Sequence, residues 1–195
     1  MKRIGIAFLA AALLLAGCAG SDGGRNPNWD ESWVPIGADL AAETPDGFTL
    51  NESNDVLSIS GLYYVTWTCG QGRGFVNSED EEATVYDAQI YVLLKECADG
   101  AEAERNVDEW IAREKQSYET GEAERVTVAS QEFQMLPLLN GNEANPYPHG
   151  TAAFAVRGQN AISVELVCSE RFTGDSRAVL ERFLAGFHYA EEQEG

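Results

Sequence analysis

TAAFAVRGQNAISVELVC, residues 151–168, decides the fold class. Two runs of apolar and β-branched residues flank the turn Arg157-Gly158-Gln159-Asn160. A parallel pair needs a crossover of about a dozen residues, so a turn this short makes the two runs antiparallel. In the second run Ile162, Val164, Leu166 and Cys168 alternate onto one face, the period of a strand with one side buried. Further along, Val179, Leu180, Phe183, Leu184 and Phe187 recur at helical spacing. They predict a helix over about residues 175–187 whose apolar stripe needs a sheet to cover.

Working toward the N-terminus, residues 125–136 (RVTVASQEFQML) read as one strand and the polar residues 140–150 as a loop. Before them Asn106 can cap a helix, with Glu109 at the reciprocal capping position and Val107, Trp110, Ile111 and Tyr118 on one side; Gly121 is placed to end it. Residues 84–97 (TVYDAQIYVLLKEC) read as a long strand with Ile90, Val92 and Leu94 inward. Residues 62–69 (LYYVTWTC) read as another, with Tyr63, Val65, Trp67 and Cys69 on one face and Tyr64 on the other. The order is strand, strand, helix, three strands, helix. It predicts an α+β fold, an antiparallel sheet of about five to seven strands packed against two main helices. One domain is expected over residues 48–189, followed by an acidic tail, 190–195.

The segments YVLLKEC, NVDEWIAREKQSY, TVASQEF, TAAFAVRG, AISVELVC and VLERFLAGFHY, in that order, resemble the PsbP-like fold. That fold is shared by photosystem II extrinsic proteins, DcrB-type bacterial lipoproteins and a Ran-binding import factor. The resemblance rests on element order, a DEW-type helix start and a terminal apolar helix ending in an aromatic residue. It implies a sandwich architecture and an accessory or binding module. No catalytic residue is carried over, because the group has no shared active site to match.

The N-terminus carries a different signal. Lys2 and Arg3 precede an uncharged apolar run, residues 4–16, that is shorter than the roughly 18 residues a membrane span requires. Leu15-Ala16-Gly17-Cys18 follows directly and resembles the lipobox of bacterial lipoproteins. The resemblance implies a signal peptide over residues 1–17 and a lipid anchor on Cys18, with acyl chains such as palmitate. Residues 18–47 are expected to form the lipidated N-terminus and a flexible linker; those from Trp29 to Asp46 show no clear period and are compatible either with packing on the domain or with mobility. The expected location is the cell envelope, on the outer face of the cytoplasmic membrane or on the outer membrane. In a Gram-negative cell Ala19, rather than an aspartate, would resemble lipoproteins sent on to the outer membrane; the sequence leaves the cell type open.

Composition narrows the partners. Thirteen Lys and Arg stand against 32 Asp and Glu, a formal charge of −19, which becomes two units more negative when Lys2 and Arg3 are removed. Phosphate backbones need clustered cations, so nucleic acid is not an expected partner. A membrane, reached through Cys18, and another envelope protein are.

Three thiols remain besides Cys18: Cys69, Cys97 and Cys168. In an oxidising compartment a disulfide with one leftover thiol is expected, and strand phase favours Cys69 with Cys168. The alternative is three buried reduced thiols. Glu79, Asp80, Glu81 and Glu82, with oxygens from residues 140–143, are candidates for a hard cation such as Ca²⁺, though without EF-hand spacing; solvated acidic loops are the simpler reading. His149 and His188 have no metal-ligand spacing, and neither a nucleophile elbow nor a phosphate loop occurs. Trp29, Trp33, Tyr63, Tyr64, Trp67 and Tyr147 are candidates for a ligand platform or for the core. No cofactor and no catalytic residue is expected. The sequence thus points to a non-catalytic accessory or protein-interaction module, with a small-ligand or Ca²⁺-sensing lipoprotein as the alternative.

Overall fold

The computed structural model describes residues 29–54, 61–76, 82–141 and 145–190. A short hairpin comes first, β1 (Val34–Ile36) and β2 (Leu40–Ala42). β3 (Phe48–Asn54) and β4 (Leu62–Cys69) follow, then a separate antiparallel ribbon of β5 (Arg73–Val76) and β6 (Glu82–Val85). β7 (Ala88–Glu96) leads into α1 (Gly100–Ser117) and β8 (Tyr118–Thr120). The remainder is β9 (Glu124–Val128), β10 (Gln131–Gly141), β11 (His149–Arg157), β12 (Asn160–Cys168), α2 (Ser176–Ala185) and β13 (Phe187–Tyr189).

The main sheet runs β3-β4-β7-β12-β11-β10-β8, with β9 also paired to β10, and every pairing is antiparallel. Its two faces carry two cores. On one, Val65, Trp67, Ile90, Val92, Ile162, Val164 and Leu166 meet α2 and a small sheet, β1-β2-β13. On the other, Leu136, Leu138, Ala152, Phe154 and Ala161 meet Ala103, Val107, Trp110 and Ile111 of α1. The result is the expected α+β sandwich with two helices. Period-2 alternation supplies each face, as read for Ile90, Val92 and Leu94.

The main sheet has eight strands, more than the five to seven expected. One cause lies in residues 125–136, which are not one strand but the hairpin β9–β10. Its two-residue turn, Ala129-Ser130, has both φ angles positive, at 49° and 64°. Such a turn matches strand twist but is normally marked by Asn-Gly, so Ala-Ser leaves no trace in the pattern. The others are β3 and β8, which extend the sheet at its two edges; the bend at Tyr86-Asp87 divides residues 84–97 between the ribbon and the main sheet.

α1 begins and ends differently from expectation, and α2 starts as expected but ends earlier. Asp99, not Asn106, caps α1: its carboxylate accepts from the Glu102 amide at 2.7 Å, and the Glu102 carboxylate accepts from the Ala98 amide at 2.9 Å. Asn106 lies inside the helix, buried, donating to the Glu102 carbonyl and accepting from Lys95 Nζ at 2.7 Å. α1 stops at Ser117, before Gly121, because Tyr118 enters the sheet. α2, capped by Asp175, ends at Gly186, so Phe187 completes the apolar stripe from a strand.

Residues upstream of position 48 pack on the domain. Trp29, Val34, Ile36, Leu40, Ala41 and Ala42 are buried, and β2 pairs with the last strand, β13. Gly37, at φ 72°, makes the β1–β2 turn with the Tyr63 ring 3.0 Å from where a Cβ would stand. Of the two alternatives left open for Trp29 to Asp46, the residues from Trp29 to Ala42 take packing on the domain; residues 18–28 lie outside the described residues. Among the described residues, no helix is long and apolar enough to cross a membrane.

Candidate functional site

The sequence-predicted site residues do not converge. Cys18 and Glu79, Asp80 and Glu81 lie outside the described residues, and Glu82 is exposed at the start of β6. Asn140 donates to the Glu119 carboxylate at 2.7 Å. Among the described residues, no group of three or more His, Cys, Asp or Glu is arranged to hold a metal ion. His149 opens β11 opposite Cys168. His188 lies in β13, beyond α2, against Trp33 and Glu43. Trp29 and Trp67 belong to the core, not to a platform.

The expected Cys69–Cys168 disulfide is not formed; Cys69, Cys97 and Cys168 are free thiols. The phase argument did place Cys69 and Cys168 on one face. Both, however, oppose Ala88, one from each side of β7. Two strand spacings of roughly 4.8 Å put their backbones about 10 Å apart, beyond the roughly 7 Å that a disulfide spans without backbone movement. Burial pushes the Cys168 thiol up to about 12, with Cys69 adding to it, and burial and Asp87 raise Cys69. Cys97 belongs to the opposite core, where its sulfur accepts from Asn106 Nδ2 at 3.5 Å.

Two features remain. The first is an open cleft of about 510 Å³ at one end of the sheet, with Arg73, Phe75, Tyr86, Asn145, Pro146 and Arg171 on its walls. The Tyr86-Asp87 bend builds it. The Asp87 amide donates to the Cys69 carbonyl, and the Asp87 carbonyl accepts from both the Ser169 amide and hydroxyl. The Tyr86 amide donates to the Tyr147 hydroxyl at 3.0 Å, tying the loop before β11 to the bend. Asp87 also pairs with Arg73, which fixes one cation at the mouth. Glu170 lines the same cleft beside Arg171, and Asp87 neutralises Arg73, so its walls are mixed in charge, with the Phe75 and Tyr86 rings among them.

The second is a pair of carboxyl groups between α1 and the sheet. Glu114 is on the buried side of α1 and Glu165 is on the α1-facing side of β12. Burial first, and then Glu165, raise the Glu114 carboxyl to about 7, against the opposing pull of Arg113. Burial likewise raises Glu165, although Arg113 and a hydrogen bond from Ser163 Oγ at 3.1 Å oppose it. Tyr91 is directly opposite Glu165 in register and stacks on Tyr64 with centroids 6.0 Å apart. The outward orientation of Tyr64 was legible in the strand period. The carboxyl pair was not, because Glu114 reads as one of many surface acids and only the crossing of α1 over β12 brings the two together.

No family model matches the chain, and no curated protein matches it. Solved structures do. The chain is similar to the solution structure of cyanobacterial PsbP (CyanoP) from Synechocystis sp. PCC 6803, with 12% identity over 77% of this chain and 86% of that one and a TM-score of 0.44. It is also similar to a crystal structure from Bacteroides thetaiotaomicron VPI-5482, with 14% identity over 80% of this chain and 46% of that one and a TM-score of 0.42. This chain thus spans less than half the length of the Bacteroides protein. Neither similarity transfers a residue role, a ligand or a partner.

Proposed function

We propose that the protein is an exported lipoprotein, anchored through Cys18 at the cell envelope, whose domain is a non-catalytic module that docks another envelope protein. The observation that carries this reading is Leu15-Ala16-Gly17-Cys18 directly behind a positively charged start and an apolar run. Anchoring confines the domain to the membrane surface and raises its effective concentration toward neighbours there. Ten residues lie between Cys18 and Trp29, which packs in the described fold. A segment of ten residues limits how far the domain can stand from the surface. The acidic domain is repelled by anionic headgroups, which leaves its open cleft beside Arg171 accessible to a protein partner.

The test is expression of the full chain and of Cys18→Ala in a bacterial host, with mass spectrometry of the N-terminal peptide and fractionation of the membranes. Acyl chains on Cys18 and membrane recovery, both lost in Cys18→Ala, are expected. An unmodified Cys18 in a membrane-associated product rejects the anchor. For docking, crosslinking in the native membrane is expected to capture a discrete partner, with less captured when Arg171 is replaced by Glu.

A further inference from the structure

We propose that Glu114 and Glu165 form a one-proton site between α1 and the sheet, so that the hold of α1 on the sheet weakens as the surroundings turn from mildly acidic to alkaline. The pair is built from elements far apart in sequence. Glu114 lies on the same side of α1 as Trp110 and Ile111, and is 6% exposed. Glu165 lies on the same side of β12 as Ser163 and Val167, beneath that helix.

The groups around the pair leave it short of positive charge. From α1 itself comes Arg113, whose Nε is 3.6 Å from Glu114 Oε1 but whose side chain is half exposed. β12 offers Ser163, already donating to Glu165. β7 offers Tyr91, whose hydroxyl donates to Gln89 Oε1 at 2.7 Å, and β4 offers Tyr64 behind it. β11 presents Ala152 and Phe154, which carry no charge. β8 offers Tyr118, and the loop before β11 offers Asn145, bonded to Tyr118, and Tyr147; burial raises both tyrosines, so they stay neutral. Lys95 is engaged by Asn106, toward the other end of α1. One solvent-facing guanidinium therefore serves two carboxylates in a site of low dielectric. A buried and a half-buried carboxylate cannot both stay charged there without cost, and a proton on one removes the repulsion.

The direction of the pH effect follows from linkage. The folded-state value of Glu114 lies near 7, above its ordinary value of 4.5. The stability associated with the protonated form is therefore complete below the ordinary value and is lost as the pH rises through the folded one. The half-buried Glu165 shifts in the same direction and adds to the loss. Since Glu114 is in the last turn of α1 before Tyr118 enters the sheet, the helix end is what loosens.

The experiment measures urea unfolding of the purified full chain from about pH 5 to about pH 9, following tryptophan fluorescence. The wild-type midpoint is expected to fall across neutrality. Glu114→Gln, which mimics the protonated group, is expected to flatten that fall and to exceed the wild type at the alkaline end. Glu165→Gln is expected to move the fall to lower pH, and Glu109→Gln, exposed on the same helix, to leave it unchanged. A wild-type midpoint that is flat across neutrality, or a Glu114→Gln protein that falls as the wild type does, overturns the proposal. Should the glutamine variants fail to fold, amide hydrogen exchange on the wild type decides. After correction for intrinsic rates, protection in the last turns of α1 is expected to drop between about pH 6 and about pH 8; equal protection overturns the proposal.

Discussion

Trp33 lies flat on His188, the ring centroids 3.4 Å apart and the planes 4° from parallel. His188 also meets the Glu43 carboxylate, at 2.9 Å. The contact ties the start of the packed fold to its last strand across more than 150 residues. It holds the β1-β2-β13 sheet as a lid over Trp67 and Phe183, with Phe187 of β13 packed edge to face on Phe183.

If the N-terminal hairpin is part of the core, cutting into it must cost as much as cutting into the main sheet. Ile36→Ala is expected to destabilise the protein by about 2–5 kcal/mol, the range for a fully buried aliphatic truncated to alanine. Chemical denaturation measures it; a loss under about 0.5 kcal/mol, typical of surface sites, would show that the segment is dispensable.

The register around Ala88 predicts the state of the thiols. Without reductant, Cys69, Cys97 and Cys168 are expected to titrate as three free thiols in denaturant. In the folded protein Cys69, the least buried of the three, is expected to react first. Cys168 is expected to resist, since burial disfavours its thiolate. Loss of two thiols that reductant restores would mean that β7 does not separate the pair.

Ala129 and Ser130 hold left-handed conformations that cost an L-residue roughly 1–2 kcal/mol each. Ser130→Gly removes that cost at one position while giving the unfolded chain more freedom. A net gain of about 0.5–1 kcal/mol in stability is expected from thermal or urea unfolding. A loss would place the turn in another conformation.

Capping separates two candidate starts for α1. Asp99→Ala is expected to cost about 1 kcal/mol through the lost bond to the Glu102 amide. Asn106→Ala acts differently, since it leaves Lys95 Nζ without its buried acceptor. It is expected to cost about 1–3 kcal/mol. Helicity by circular dichroism should fall for the first and stay near native for the second.

Much of the architecture was legible in local pattern. The β11–β12 turn, the inward set Ile90, Val92 and Leu94, and the stripe from Val179 to Phe187 follow from periods of 2 and 3.6. Where a boundary depended on a weak or atypical local signal, the reading slipped. Ala129-Ser130 carries no turn signature, and Asn106 resembles a cap as much as Asp99 does. The hairpin Val34–Ile36 with Leu40–Ala42 is too short to show a period at all.

By itself, then, the sequence determined the class of the fold, antiparallel strands with two amphipathic helices, and it supplied the case for an anchor at Cys18. These rest on side chains near one another along the chain. Only the tertiary structure decided that Ala88 stands between Cys69 and Cys168, that β2 pairs with β13, and that Glu114 faces Glu165. Each of these relationships joins residues distant in sequence, and which strands or helices become neighbours is set by burial of the whole core. Local period records which face a residue occupies, but not what lies across from it.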